Sequence, residues 1–232
     1  MRWYQRASEL YRIPEGYGRV YVEFGCGRGR FVNEMAAGDP EALYIGVEGC
    51  KTTVIKAMSK TKTAGLKNLC YIDSFINDAS TAFEEGSLNG VFLNFSDPWP
   101  KDRHADRRLT APAKAAAYLR VLKPGGFATL KTDSEALFRY SLKTFTGVGF
   151  EIATSSDDDG HNGSGRLCEN GTYTTSSQCL LNTPSIDGSP NLTGIHDKIA
   201  ERAIATPTEY ELRFRSLGQP IYHFTALKPH TS

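Results

Sequence analysis

Segments with strand spacing alternate with segments with helix spacing along most of this 232-residue chain. The hydrophobic pattern predicts strands at 19–24, 42–47, 68–72, 89–95 and 126–132, and helices at 29–37, 51–64, 77–85, 111–122 and 134–146. Such alternation with short connections is typical of a parallel sheet with helices on both faces. Two late strands, 150–154 and 221–227, predict a hairpin that completes an α/β fold with a seven-stranded sheet whose last strand is antiparallel.

A glycine-rich segment follows the first predicted strand. Gly25 and Gly27 stand at alternate positions, and Glu23 lies two residues before them. Glycines in this arrangement let the backbone turn tightly and let a ligand approach without a Cβ in the way. The dinucleotide-binding fingerprint needs a third glycine where Arg30 stands, which argues against a nicotinamide-dependent oxidoreductase. A tight structural turn is the alternative interpretation.

Acidic residues also follow the next two strands. The second strand ends in Glu48, at the position where nucleotide-binding α/β folds accept ribose hydroxyl groups. The third strand is followed by Asp78, which could contact a ligand or could instead cap a helix from Ala79 to Glu85.

The segment after the fourth strand combines an acidic turn with a run of cations. Asp97-Pro98-Trp99-Pro100 is followed by Lys101 and then by four more basic side chains within residues 102–108. Because proline restricts the residue before it, Asp97 and Trp99 are predicted to be extended. A strand ending in a stiff acidic turn beside cations suggests a pocket next to a groove for a polyanion. A Pro-rich surface turn with solvated charges is the alternative.

Composition narrows the location and the partners. The net charge is +1, so any nucleic-acid contact must come from a local basic patch. No 18-residue apolar run or signal peptide is visible, which predicts a cytoplasmic protein with no membrane partner. Five cysteines without a C-x-x-C pair predict reduced thiols and no metal site. Residues 1–232 are expected to form a single domain with a flexible insertion at about 155–190, where Ser, Asp, Gly, Asn and Thr dominate.

Four separated blocks together resemble the bacterial tRNA (guanine-N7)-methyltransferases. They are Phe95 to Lys101 with Arg103-His104, Arg107 to Thr110, Lys131 to Asp133, and Thr208 to Phe214. The glycine-rich segment, with its E-x-G-x-G-x-G pattern, is likewise similar to motif I of the class I methyltransferases. The resemblance covers roughly residues 19–154 and 191–228. It implies a Rossmann-like class I methyltransferase fold and methyl transfer from S-adenosylmethionine to N7 of a guanine in the variable region of tRNA.

The resemblance also implies roles for individual residues. The cofactor-binding set is Glu23, Gly25, Gly27, Glu48, Asp78 and Asp97, and Asp97 is also the family's proposed catalytic position. The guanine-binding set is Lys101, Asp133, Thr208 and Glu211. The RNA-contacting set is Arg103, His104, Arg107 and Arg108. Asp102 and Asp106 depart from the family, which is usually basic there. Such a family contains both monomers and homodimers.

The chemistry implied by this resemblance needs no general base. N7 of guanine carries an in-plane lone pair and no proton at neutral pH, so positioning should dominate catalysis. Asp97 would orient the ligands, and Lys101 could donate to guanine O6 while Asp133 or Glu211 accepts from the opposite edge. Trp99 could stack on the guanine or pack beneath the Pro-rich turn. The rivals are a methyltransferase with another acceptor and a non-catalytic RNA-binding module. Trp99 interrupts the Pro-Pro-aromatic pattern of enzymes that methylate the adenine amino group.

Overall fold

The computed structural model describes residues 4–6, 10–156, 165–167, 173–175 and 193–230. The strands are β1 (Tyr4–Arg6), β2 (Val20–Phe24), β3 (Leu43–Glu48), β4 (Leu69–Asp73), β5 (Leu88–Asn94), β6 (Leu122–Thr132), β7 (Glu151–Ser156), β8 (Gly165–Leu167), β9 (Tyr173–Thr175) and β10 (Tyr222–Leu227). The α-helices are α1 (Arg30–Ala37), α2 (Lys51–Thr63), α3 (Pro112–Val121), α4 (Glu135–Gly147), α5 (Thr193–Ala205) and α6 (Glu209–Ser216).

The main sheet confirms the predicted architecture. Its strand order is β1-β4-β3-β2-β5-β6-β10-β7. Strand β10 is antiparallel to both β6 and β7, whereas the other paired strands run parallel. All seven predicted strands are present, and β1 adds a short eighth strand at the edge beside β4. The carboxyl ends of β2, β3, β4, β5 and β6 therefore meet at one edge of the sheet.

Both faces of the sheet are buried, which explains the nearly continuous apolar strands. Because successive side chains point to opposite faces, β2 places Val22 in one core cluster and Tyr21 in the other. On the second face, Tyr21 stacks on Tyr44 with ring centroids 5.2 Å apart and contacts Phe92 at 6.0 Å. These large side chains fix the central strands against α1, α2 and α5, so the edge that carries the acidic residues has a rigid base.

Several sequence-based expectations need correction. The predicted helix at 77–85 is only a 3₁₀ turn, Ala79–Thr81, because the chain turns away before Gly86, whose φ is +62°. The helices α5 and α6 were not predicted. Of the predicted insertion at about 155–190, Ser155 and Ser156 end β7, and β8 and β9 form a two-stranded antiparallel ribbon. The remainder of that prediction lies outside the described residues.

The described segments also lack a membrane-spanning helix and a cluster of metal-binding side chains. Within them, no helix is long and apolar enough to cross a membrane. No group of three or more His, Cys, Asp or Glu side chains in the same segments is arranged to hold a metal ion.

Candidate active site

A cavity of about 540 Å³ opens at the carboxyl edge of the sheet. Its walls come from the loops after β2, β3, β4 and β5, from the basic segment and the start of α3, and from α6. Strand β2 lies between β3 and β5, so the chain reverses its direction across the sheet at this point. Ligands of open α/β sheets bind at such a switch point, outside the carboxyl ends of the strands.

The glycine-rich loop forms one wall of this cavity. Gly25, Gly27 and Gly29 have φ values of +74°, +53° and +72°, which side chains rarely adopt. A Cβ on Gly27 would meet nothing within 4 Å, whereas one on Gly29 would lie 2.8 Å from the Cβ of Ala57. Gly29 therefore serves close packing against α2, and Gly27 leaves open space on the cavity side.

Glu48 is held in place at the end of β3. Its Oε2 accepts a hydrogen bond from the Gly27 N–H at 3.0 Å, and its Oε1 accepts one from the Cys50 N–H at 2.9 Å. The carboxylate thus ties the glycine-rich loop to the start of α2. It also lines the cavity, where its remaining lone pairs can accept further hydrogen bonds.

Glu23 lies beneath the glycine-rich loop and is 2% exposed. Its Oε1 accepts a hydrogen bond from Asn94 Nδ2 at 2.9 Å, whereas Oε2 has no partner among the described residues. Burial raises the pKa of this carboxyl to about 7, and the hydrogen bond from Asn94 and the charge of Lys131 offset the rise only in part. Glu23 does not line the cavity directly.

The acidic turn after β5 is held rigidly, but its backbone conformation differs from the extended one that was predicted. Asp97 is exposed and lines the cavity. Trp99 has φ +41°, so the prediction that it is extended is wrong. The guanidinium of Arg108 holds this conformation, because it donates hydrogen bonds to the carbonyl of Pro98 at 3.1 Å and to that of Trp99 at 3.0 Å.

The predicted RNA-contacting residues therefore separate into two groups. Arg103 and Arg107 are exposed, and Arg107 lines the cavity with its guanidinium 5.0 Å from the centroid of Trp99. His104 meets the same ring edge-on, with centroids 5.7 Å apart. Arg108 is only 8% exposed and also lies 4.2 Å from the centroid of Tyr140. A phosphate contact does not fit Arg108, because its donors hold the turn together.

The predicted guanine-binding residues do not line the cavity. Lys101 and Asp133 are exposed outside it, and the Thr208 hydroxyl caps α6 by accepting a hydrogen bond from the Glu211 N–H at 2.9 Å. Glu211 is 1% exposed, and its two carboxylate oxygens pair with Lys131 Nζ at 2.8 Å and with Arg215 at 2.7 Å. These interactions place Thr208 and Glu211 in the framework of α6.

Asp78 is likewise committed elsewhere, as a cap. Its carboxylate accepts hydrogen bonds from the Ser80 hydroxyl at 2.6 Å and from the Ser80 N–H at 2.9 Å, as the capping alternative predicts, and these hydrogen bonds lower its pKa. The cavity is lined instead by the preceding segment, which includes Phe75 and Asn77. The Phe75 ring is 79% exposed and lies against Gly49, where a Cβ would be 2.4 Å from the ring.

Among the cavity-lining residues that sequence reasoning missed are Lys114 and Tyr210. Lys114 is buried, and its Nζ donates to the Arg107 carbonyl at 3.1 Å while burial lowers its pKa. Tyr210 projects from α6 and is 57% exposed. No local motif marks Lys114, whereas Tyr210 stands inside the Thr208–Glu211 block that the resemblance had already singled out.

Comparison with known proteins agrees with this site. A family model described as "Putative methyltransferase" matches residues 18–172. The solved structure of the 16S rRNA methyltransferase KamB aligns with a TM-score of 0.55 at 14% identity, covering 91% of this chain and 88% of that one. At that identity the likeness shows the fold alone, which is that of the class I methyltransferases.

Sequence relatives narrow the class further. The tRNA (guanine-N(7)-)-methyltransferase of Bacillus subtilis (strain 168) is 34% identical over 203 residues, 88% of this chain and 78% of that protein. The protein of the same name from Limosilactobacillus fermentum is 35% identical over 228 residues, 98% of this chain and 86% of that protein. The chain belongs to the tRNA (guanine-N7)-methyltransferase family.

Proposed function

We propose that this protein transfers a methyl group from S-adenosylmethionine to N7 of a guanine in the variable region of tRNA. The observation that carries the proposal is the meeting of three features in one cavity. The glycine-rich loop, the exposed carboxylate of Asp97 and the cation of Arg107 all line it. A nucleoside cofactor, a purine and a polyanion could therefore be bound side by side.

The residues present fit the cofactor. The open space at Gly27 admits a ligand against the backbone, and Glu48 is held where it can accept ribose hydroxyl hydrogen bonds. Phe75 and Asn77 offer an apolar ring and an amide for a purine, and they are better placed than Asp78. Glu23 supports this wall from below as a buried carboxyl. When bound, S-adenosylmethionine supplies an electrophilic methyl group on a sulfonium sulfur.

The chain has to position the acceptor rather than deprotonate it. N7 of guanine presents a lone pair and no proton, so the reaction requires no general base. Asp97 can orient the purine and stabilise the positive charge that develops on its imidazole ring. Its rigid turn supports this role, since positioning supplies about 7–11 kcal/mol in well-oriented reactions.

The basic segment provides the contact with tRNA. Arg103, His104 and Arg107 lie beside the cavity, and their donors suit phosphate oxygens. Because the chain as a whole is nearly neutral, this local patch must supply much of the electrostatic attraction.

A methylation assay tests the proposal. Purified protein is incubated with unmodified tRNA and labelled S-adenosylmethionine, and the tRNA is then digested to nucleosides for mass spectrometry. We expect 7-methylguanosine from the wild-type protein and a large loss of it from Asp97→Ala. Label in an exocyclic amine, or no label in tRNA, would overturn the proposal.

A further inference from the structure

The side chain of Tyr210 is the most exposed member of a stack of three aromatic rings. Its ring lies 6.5 Å from that of Phe214 with an interplanar angle of 24°, and Phe214 lies 5.8 Å from Phe95 at 26°. The nearly parallel rings thus join the end of β5 to α6, and the rings at the two ends, Phe95 and Tyr210, both line the cavity. Tyr210 is 57% exposed and lines the cavity, so much of its side chain is accessible to a ligand.

The helix that carries Tyr210 is fixed at three neighbouring positions. Thr208 caps it, Glu209 pairs with Lys60 of α2, and Glu211 pairs with Lys131 of β6. The exposed ring is therefore presented by a rigid support. Little conformational entropy remains to be lost when a flat ligand packs against it.

The ligand that fits this ring is a purine base. A guanine must leave its stack to reach a buried methyl group, at a cost of a few kcal/mol, and an aromatic side chain can replace part of the lost stacking. Phe95 and Trp99 also line the cavity near Asp97 in the sequence. Phe95 is already stacked on Phe214, and Trp99 already contacts Arg107 and His104. Within the described part of the chain, the Tyr210 ring contacts no aromatic or cationic side chain other than Phe214.

We propose that Tyr210 is the stacking surface for the extruded guanine. This inference rests on the proposed function and deepens it. The Thr208–Glu211 block would then contact the substrate through Tyr210, while Thr208 and Glu211 hold the helix. The role is sequence-tolerant, because every base has an aromatic face, so guanine selectivity must come from other contacts.

Three variants test this role in steady-state methylation of tRNA. Tyr210→Ala removes the ring, Tyr210→Phe keeps it, and Leu212→Ala removes an exposed apolar side chain of the same helix that does not line the cavity. Loss of one base–aromatic stack is worth about 1–3 kcal/mol, so kcat/KM for tRNA should fall roughly 5- to 150-fold in Tyr210→Ala. Tyr210→Phe should retain most of the activity, and Leu212→Ala should match the wild type.

Cofactor binding separates stacking on guanine from other roles. The Kd for S-adenosylhomocysteine, measured by calorimetry, should be the same in all three variants, and thermal unfolding should confirm that Tyr210→Ala is folded. If Tyr210→Ala methylates tRNA as fast as Leu212→Ala, or if it loses cofactor affinity in step with its activity, the stacking role is overturned. Failure of the wild-type protein to make 7-methylguanosine would instead refute the proposed function, so the two failures are distinct.

Discussion

Replacing Lys131 with methionine should destabilise the protein markedly, because it breaks an ion pair inside the core. The Lys131 and Glu211 side chains are each 1% exposed and are joined at 2.8 Å. Removing one partner of a buried pair typically costs about 3–5 kcal/mol, since the other charge is left buried. Glu211 keeps Arg215 at 2.7 Å, and Arg215 is 61% exposed, so we expect the lower end, about 3 kcal/mol. For a chain of this size that corresponds to a fall in Tm of roughly 6–12 °C.

Urea denaturation of the single and double variants measures this effect. The matched control is Arg139→Met, which breaks the pair of Arg139 with Glu135 at 2.7 Å, where the two side chains are 70% and 52% exposed. That loss should stay below about 0.5 kcal/mol. The double variant Lys131→Met/Glu211→Leu should recover much of the stability lost in Lys131→Met, because no charge is left buried. The reasoning fails if Lys131→Met costs no more than the control, or if the two single losses simply add.

Three other perturbations test the site. In the folded protein the pKa of Glu23 is raised to about 7, whereas an ordinary glutamate has a pKa of 4.5. The folded state therefore binds the proton more tightly than the unfolded chain does. The stability that this group contributes is present at low pH and is lost as the pH rises through 7. Relative to wild type, Glu23→Gln should therefore gain on the order of 2–3 kcal/mol in urea unfolding between pH 5 and pH 8; an unchanged difference would contradict the raised pKa. Arg107→Ala should weaken tRNA binding and reduce the salt dependence of its affinity by about one unit of slope, as measured by filter binding at several salt concentrations. Arg108→Ala should chiefly lower Tm. A normal salt slope in Arg107→Ala, with a reduced slope and an unchanged Tm in Arg108→Ala, would contradict this division of roles. Gly27→Ala should cost about 1–2 kcal/mol of stability at its positive φ and should also weaken S-adenosylhomocysteine binding measured by calorimetry, so full cofactor affinity would argue against the loop as the binding wall.

The elements that were predictable share a physical reason. Parallel strands end at the same edge of a sheet, so residues directly after those strands must converge whatever the details of the loops. Glu48 and Asp97 follow β3 and β5 in this way, and both line the cavity. Gly27 was equally visible, because glycines at alternate positions after a strand allow a tight turn with positive φ and the close approach of a ligand.

The predicted helix at 77–85 was wrong because its apolar residues have the spacing of a longer helix. Ala79, Ala82 and Phe83 are buried at the spacing of one helical face. That spacing suits a longer helix, but the Asp78 cap closes only a single 3₁₀ turn, and Gly86 follows with φ +62°. One turn of apolar spacing therefore carries too little information about length.

The structural interactions of Thr208 and Glu211 could not be read from the sequence, for a deeper reason. Hydrophobic periodicity finds a helix through its buried apolar residues, yet the one residue of α6 that is buried is Glu211. A buried carboxylate needs a partner, and here the partner is Lys131, 80 residues earlier in the chain. No local sequence pattern indicates that pairing. From the sequence alone, a carboxylate that holds a helix in place therefore cannot be distinguished from a carboxylate that binds a nucleobase. The side chain between them, Tyr210, could be recognised as the exposed one only after the pairing had fixed which face of the helix is turned inward.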